Sequence, residues 1–102
     1  MVHCKNKGNS FELQCIKLFK EMTNEEIFSS RFSNRQLDNE GVDFETTEYY
    51  VQSKAVEKSI NTHKILNEMK DGKDKLLFHK RNRQGIVVSM NFETFKKMIE
   101  KK

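Results

Sequence analysis

The sequence predicts an α/β domain: a mixed five-stranded sheet flanked by helices, in the order αβββαββα. Three observations predict it. Apolar residues recur at helical spacing near both ends of the chain and once in its middle, and short runs rich in aromatic and β-branched residues lie between them. The length, 102 residues, suits one domain, 1–102, rather than two.

The elements follow in order. Ser10 can cap a helix over 10–22, in which Phe11, Cys15, Leu18, Phe19 and Met22 share a face. Ile27, Phe28 and Phe32 give a weak strand pattern over 26–32, followed by a polar loop over 34–40. Strands over 41–44 and 48–55 then form a hairpin turning near Thr46 and Thr47. A second helix starts at Ser59 or Asn61, carries Ile65, Leu66 and Met69 on one face, and stops before Asp71 and Gly72. Strands over 75–80 and 86–90 flank a turn at Gly85, and a last helix over 91–100 gathers Phe92, Phe95, Met98 and Ile99 as core or dimer interface.

Composition narrows the partners. Hydrophobic residues make up 35% and charged residues 33%, against about 45–50% and about 25% in a typical domain, so the core is thin and a second copy of the chain is a plausible folding partner. No apolar run approaches the roughly 20 residues that span a bilayer, and the first ten residues lack the apolar stretch of a signal peptide; a cytoplasmic protein is expected. Cys4 and Cys15 match no zinc spacing and are expected to be reduced thiols without a function.

Charge is unevenly distributed. Residues 1–53 carry six Lys/Arg against nine Asp/Glu, whereas residues 54–102 carry thirteen against six. The basic half suits a polyanion. Asp38, Glu40, Asp43, Glu45 and Glu48 fall within eleven residues that hold no basic one. Such a cluster repels itself unless a cation or nearby Lys/Arg offsets it, so it reads either as a metal site or as a solvated acidic loop.

Strand alternation puts Tyr50, Gln52 and Lys54 on one face of 48–55 and Tyr49, Val51 and Ser53 on the other. The hairpin can bring Asp43 beside Gln52, with Lys54 one pleat further on. A carboxylate, a neutral oxygen donor and an ammonium grouped in this way can bind a divalent cation and position a water. Glu12, in the first turn of the predicted first helix, either stabilises the helix dipole or adds a further ligand.

Asp43, eight intervening residues and then Gln52-Ser53-Lys54 on a Tyr-Tyr-Val strand resemble the core of the PD-(D/E)XK nucleases. Lys7-Gly8 and Phe11-Glu12 resemble the opening of the small Holliday junction resolvases of archaea and phages, and Gly41-Val42-Asp43 the turn and first acid, with Val42 in place of the usual Pro. The resemblance covers nearly the whole chain and rests on the joint order of short motifs. Gln52 stands where the family has its second acid, and Gln-x-Lys also resembles the Mrr-type restriction endonucleases.

The resemblance implies a restriction-endonuclease-like core and hydrolysis of phosphodiester bonds at four-way DNA junctions. Magnesium, or manganese in its place, would be held by Glu12 and Asp43 with Gln52, while Lys54 would orient the attacking water. It also implies a homodimer matched to the two-fold symmetry of the junction. Lys73, Lys75, Lys80, Arg81 and Arg83, with Lys5 and Lys7 on an N-terminal arm, are the expected contacts to branched or double-stranded DNA, set against a solvating role. Arg31 and Arg35 are candidates either for the scissile phosphate or for a salt bridge to Asp43. The rival readings are an Mrr-like nuclease and a noncatalytic DNA-binding protein with a nuclease-derived fold.

Overall fold

The structure, a computed structural model, describes residues 3–101, with side chains from Ser10 onward. Helix α1 spans His3–Thr23, so it starts well before Ser10, which lies inside the helix and does not cap it. Phe11, Cys15, Ile16 and Phe19 form its buried stripe, while Met22, predicted on that face, is exposed. The helix stops where Asn24 takes a left-handed φ of 60° and its N–H donates to the Lys20 carbonyl at 2.8 Å, a common helix end.

The chain then departs from prediction. Residues 26–32 do not form a strand: 24–29 are irregular and do not join the sheet, and α2 (Ser30–Ser33) follows. Ile27 is buried whereas Phe28 and Phe32 are exposed. A few apolar residues do not make a strand; a ladder partner is needed, and this segment is instead held by single bonds, Ser30 N–H to the Asp43 carbonyl at 2.7 Å and Thr47 N–H to the Glu25 carboxylate at 2.8 Å. Helix α3 (Arg35–Asn39) occupies the predicted polar loop, capped by the Asn34 side chain, which accepts from Leu37 N–H. Gly41 follows with φ 83°, a conformation costly for any residue with a Cβ.

Strands β1 (Phe44–Glu45) and β2 (Tyr49–Ala55) form the expected hairpin, closed by Thr46 N–H to the Tyr49 carbonyl at 2.8 Å. Asn61 caps α4 (Thr62–Glu68) through its side chain. The chain crosses over to β3 (Asp74–Lys80), parallel to β2, and returns antiparallel as β4 (Val87–Ser89). Helix α5 covers Phe92–Glu100. The sheet is therefore four-stranded and mixed, in the order β1-β2-β3-β4, rather than five-stranded.

Each face of the sheet carries a core. Val51, Leu76 and Phe78 pack with Phe44 and the α1 stripe, while Tyr50 and Leu77 pack with Leu37, Val42, Leu66 and Met69. Phe19 joins α1 to the sheet through edge or tilted contacts with Phe44 and Phe78 at 6.0 and 5.8 Å between ring centres. Phe44 has no exposed surface, so Phe44→Ala should cost about 3–5 kcal/mol. Helix α5 turns Thr94 and Met98 inward and leaves Phe92, Phe95 and Ile99 exposed, so of the predicted apolar face only Met98 packs on the core. Among the described residues no helix is long and apolar enough to cross a membrane.

Candidate functional site

The site forms where β2 loses its neighbour. Strand β1 pairs only with Tyr50 and Val51, whereas β3 follows β2 from Tyr49 to Ala55. Beyond Val51 the outer edge of β2 meets irregular chain. Asp43, just before β1, crosses that edge: its N–H donates to the Val51 carbonyl at 2.8 Å, and its Oδ2 accepts from the Ser53 N–H at 2.8 Å and the Ser53 hydroxyl at 3.0 Å.

Glu12 approaches from α1. It is only 5% exposed, an unusual location for a carboxylate, and charges are buried at small cost only when paired and hydrogen-bonded. The partners come from 29–31: the Ser29 hydroxyl and the Arg31 guanidinium, the latter at 3.3 Å, both donate to Glu12 Oε2. The abandoned strand thus acquires a role, since the turn into α2 brings Ser29 and Arg31 to one carboxylate oxygen.

The Asp43 carboxyl is shifted by its surroundings. Burial pushes the Asp43 carboxyl above the usual aspartate value; the bonds from Ser53 oppose this, and the Glu12 charge adds to it. Cys15, one turn along α1, is fully buried, and burial, with the Asp43 and Glu12 charges behind it, pushes its thiol up to about 12. It is a free cysteine with the chemistry of a small apolar residue. Cys4 has its side chain outside the described residues, as do Lys5 and Lys7, whose backbone belongs to α1 rather than to a separate arm.

The remaining predicted residues divide by place. Gln52 and Lys54 alternate with Ser53 along β2 and share the parity of Tyr50, on the face away from α1. The acidic cluster disperses: Glu40 pairs with Lys70, Glu45 with Lys73 and Glu48 with Lys101. Asp38 and Asp43 stay near enough for the Asp38 charge to act on Asp43, as Glu12 does from α1. The basic stretch also splits along β3, whose seven residues span roughly 20 Å. At one end Lys73 binds Glu45 and the Thr46 carbonyl, each at 2.7 Å, and Lys75 binds Asp71 at 2.8 Å. At the other end Lys80 lies 5.9 Å from the centre of the Phe11 ring, Arg81 donates to the Ser59 hydroxyl at 3.2 Å, and Arg83 sits exposed in the turn. Arg35 is exposed at the start of α3, and Arg31 pairs with Glu12 rather than Asp43.

Ser29 and Ser53 are functional candidates that pattern reading missed. Ser53 had a signal, lying between Gln52 and Lys54; Ser29 had none beyond two small polar residues after an apolar pair. Among the described residues no group of three or more His, Cys, Asp and Glu surrounds a common point. Magnesium is commonly held by one or two carboxylates together with water and substrate phosphate. Glu12 and Asp43 meet that minimum, and a cation between them would offset the Glu12 charge that adds to the effect of burial on Asp43. No protein-family model, curated protein or solved structure matches the chain.

Proposed function

We propose that this chain is a magnesium-dependent DNA endonuclease acting on four-way junctions as a homodimer. The observation that carries the reading is Asp43, held by the Ser53 N–H and hydroxyl at the open edge of β2, with the buried Glu12 near enough for its charge to act on it. The order of helix, hairpin with the acid, helix, strand and strand supports it, being the order the nuclease resemblance implies.

In this reading Glu12 and Asp43 would hold the ion, which would polarise the scissile phosphate and acidify a water. Ser53 fixes the Asp43 carboxylate through two bonds to one oxygen, leaving the other to face a ligand. Ser29 and Arg31 do the same for Glu12. Gln52 would supply a neutral oxygen and Lys54 would orient the water, both by reaching round the unpaired edge of β2. Lys80, Arg81 and Arg83 would take DNA phosphates. The exposed Phe92, Phe95 and Ile99 offer a surface that a second copy would cover.

A second reading, noncatalytic DNA binding on the same fold, is favoured by one arrangement: Glu12 already carries two donors, and Gln52 and Lys54 belong to the opposite face of the strand. Labelled four-way junctions incubated with magnesium separate the two. Paired symmetric nicks that disappear in Asp43→Ala and Glu12→Ala support the endonuclease; tight binding without cutting selects the second reading; no binding at low salt removes both.

A further inference from the structure

At the ends of β2 and β3 the structure holds a cavity of about 590 Å³, on the far side of Lys80 from the turn-end lysines. It lies within the roughly 300–1,000 Å³ range of small-ligand pockets. The C-terminal ends of parallel strands are a favoured place for such sites. Lys58 and Arg81 supply cationic groups, Val56, Ile60 and Val87 an apolar wall, and among the described residues no acidic side chain lines it.

The walls are tied together. Val56 N–H donates to the Lys80 carbonyl at 3.3 Å, Asn82 N–H to the Glu57 carboxylate at 2.7 Å, and Arg81 to the Ser59 hydroxyl at 3.2 Å. These bonds join the segment after β2 to the turn after β3, so the mouth is preformed. Ser59 occupies one face of the Arg81 fork, and the guanidinium has further N–H groups for an anion. Lys80 borders the cavity and also approaches Phe11, the neighbour of Glu12.

We propose that this cavity binds a nucleoside monophosphate unit, its phosphate on Lys58 and Arg81 and its base against Val56, Ile60 and Val87. The unit is either a free nucleotide or an unpaired nucleotide of a DNA strand. The strand source rests on the nucleic-acid reading above; the free-nucleotide source does not.

The test is an amide NMR titration of the full chain with thymidine monophosphate, thymidine, inorganic phosphate, a blunt duplex and the same duplex with a three-nucleotide overhang. Shifts are expected at 56–62 and 79–87 with the monophosphate, about tenfold tighter than with thymidine or phosphate, and about tenfold weaker in Arg81→Gln and Lys58→Gln. The same shifts with the overhang but not the blunt duplex would identify the strand source, and shifts with the monophosphate alone the free one. Absence of shifts from both monophosphate and overhang, or equally tight binding of phosphate alone, would overturn the proposal. Junction cleavage is scored separately: nucleotide binding without cleavage sinks only the endonuclease, and cleavage without nucleotide binding sinks only the cavity.

Discussion

Asp43 should destabilise the folded chain at neutral pH, and Asp43→Asn should relieve it. The net effect of burial, the Glu12 charge and the Ser53 bonds is a raised pKa, so the uncharged form fits the site better even after the hydrogen bonds are included. Asn keeps an acceptor for the Ser53 N–H and hydroxyl and removes the charge. Ala removes both, leaving two half-buried donors without their acceptor. Loss of a partner of that kind costs about 1–3 kcal/mol, and partial exposure favours the lower half of the range. In thermal denaturation at pH 7 the order should therefore be Asp43→Asn above wild type, with Asp43→Ala below Asp43→Asn by about 4–8 °C for each kcal/mol.

The pH dependence follows from the same shift. Between the unfolded and the raised folded pKa, the folded chain binds more protons, so its stability falls as pH rises through that window, and the deficit is complete above it. That component should vanish in Asp43→Asn. Equal melting temperatures for the two variants, or Asp43→Asn below wild type at pH 7, would refute the reasoning.

Four further outcomes are expected. In a Cys4→Ser background, Cys15 should resist a thiol reagent at pH 8 in the folded chain and react once unfolded, because it is fully buried and its thiol is pushed up to about 12; rapid labelling of the native protein would contradict this. Gly72 has φ 132° and faces the Tyr50 ring, so Gly72→Ala should cost about 1–3 kcal/mol in urea unfolding, and an unchanged midpoint would contradict it. Replacing Lys80 and Arg81 with Gln should flatten the salt dependence of DNA binding by about one unit of slope each, whereas the same change at Lys73 and Lys75, which are paired with Glu45 and Asp71, should alter it less; equal effects would argue against one DNA-facing end. Phe95→Glu, on the exposed face of α5, should yield a monomer by sedimentation if that face joins two copies; an unchanged dimer would place the interface elsewhere.

The parts of the fold set by local chemistry were legible in the sequence. Helical spacing located α1, α4 and α5, Asn61 was one of the two starts offered for α4 and is its cap, and the hairpin turn fell at Thr46 and Thr47. The parts set by tertiary partners were not. Residues 26–32 offered only the weak strand pattern of Ile27, Phe28 and Phe32, and Ser30 turns into a helix where Ser29 and Arg31 bind Glu12 and no ladder receives the segment. The face of α5 was misread for a related reason: four apolar residues suggest an inward side, yet Thr94 and Met98 are the ones turned toward the sheet. At the site, Asp43 and Glu12 were singled out from motif order, whereas Ser53 became visible only through the carboxylate it binds. The basic stretch over 73–83 looked continuous because sequence does not show that a strand separates its ends.

The central claim is that Glu12 and Asp43 together hold a divalent ion. Manganese added in small amounts during amide NMR tests it directly, since the ion broadens the signals nearest to it. Broadening should centre on Ser29, Ser30 and Ser53 with Glu12, and should be lost in Asp43→Asn while the remaining spectrum is preserved. Broadening confined to exposed acids such as Asp71, or left unchanged by Asp43→Asn, would contradict it.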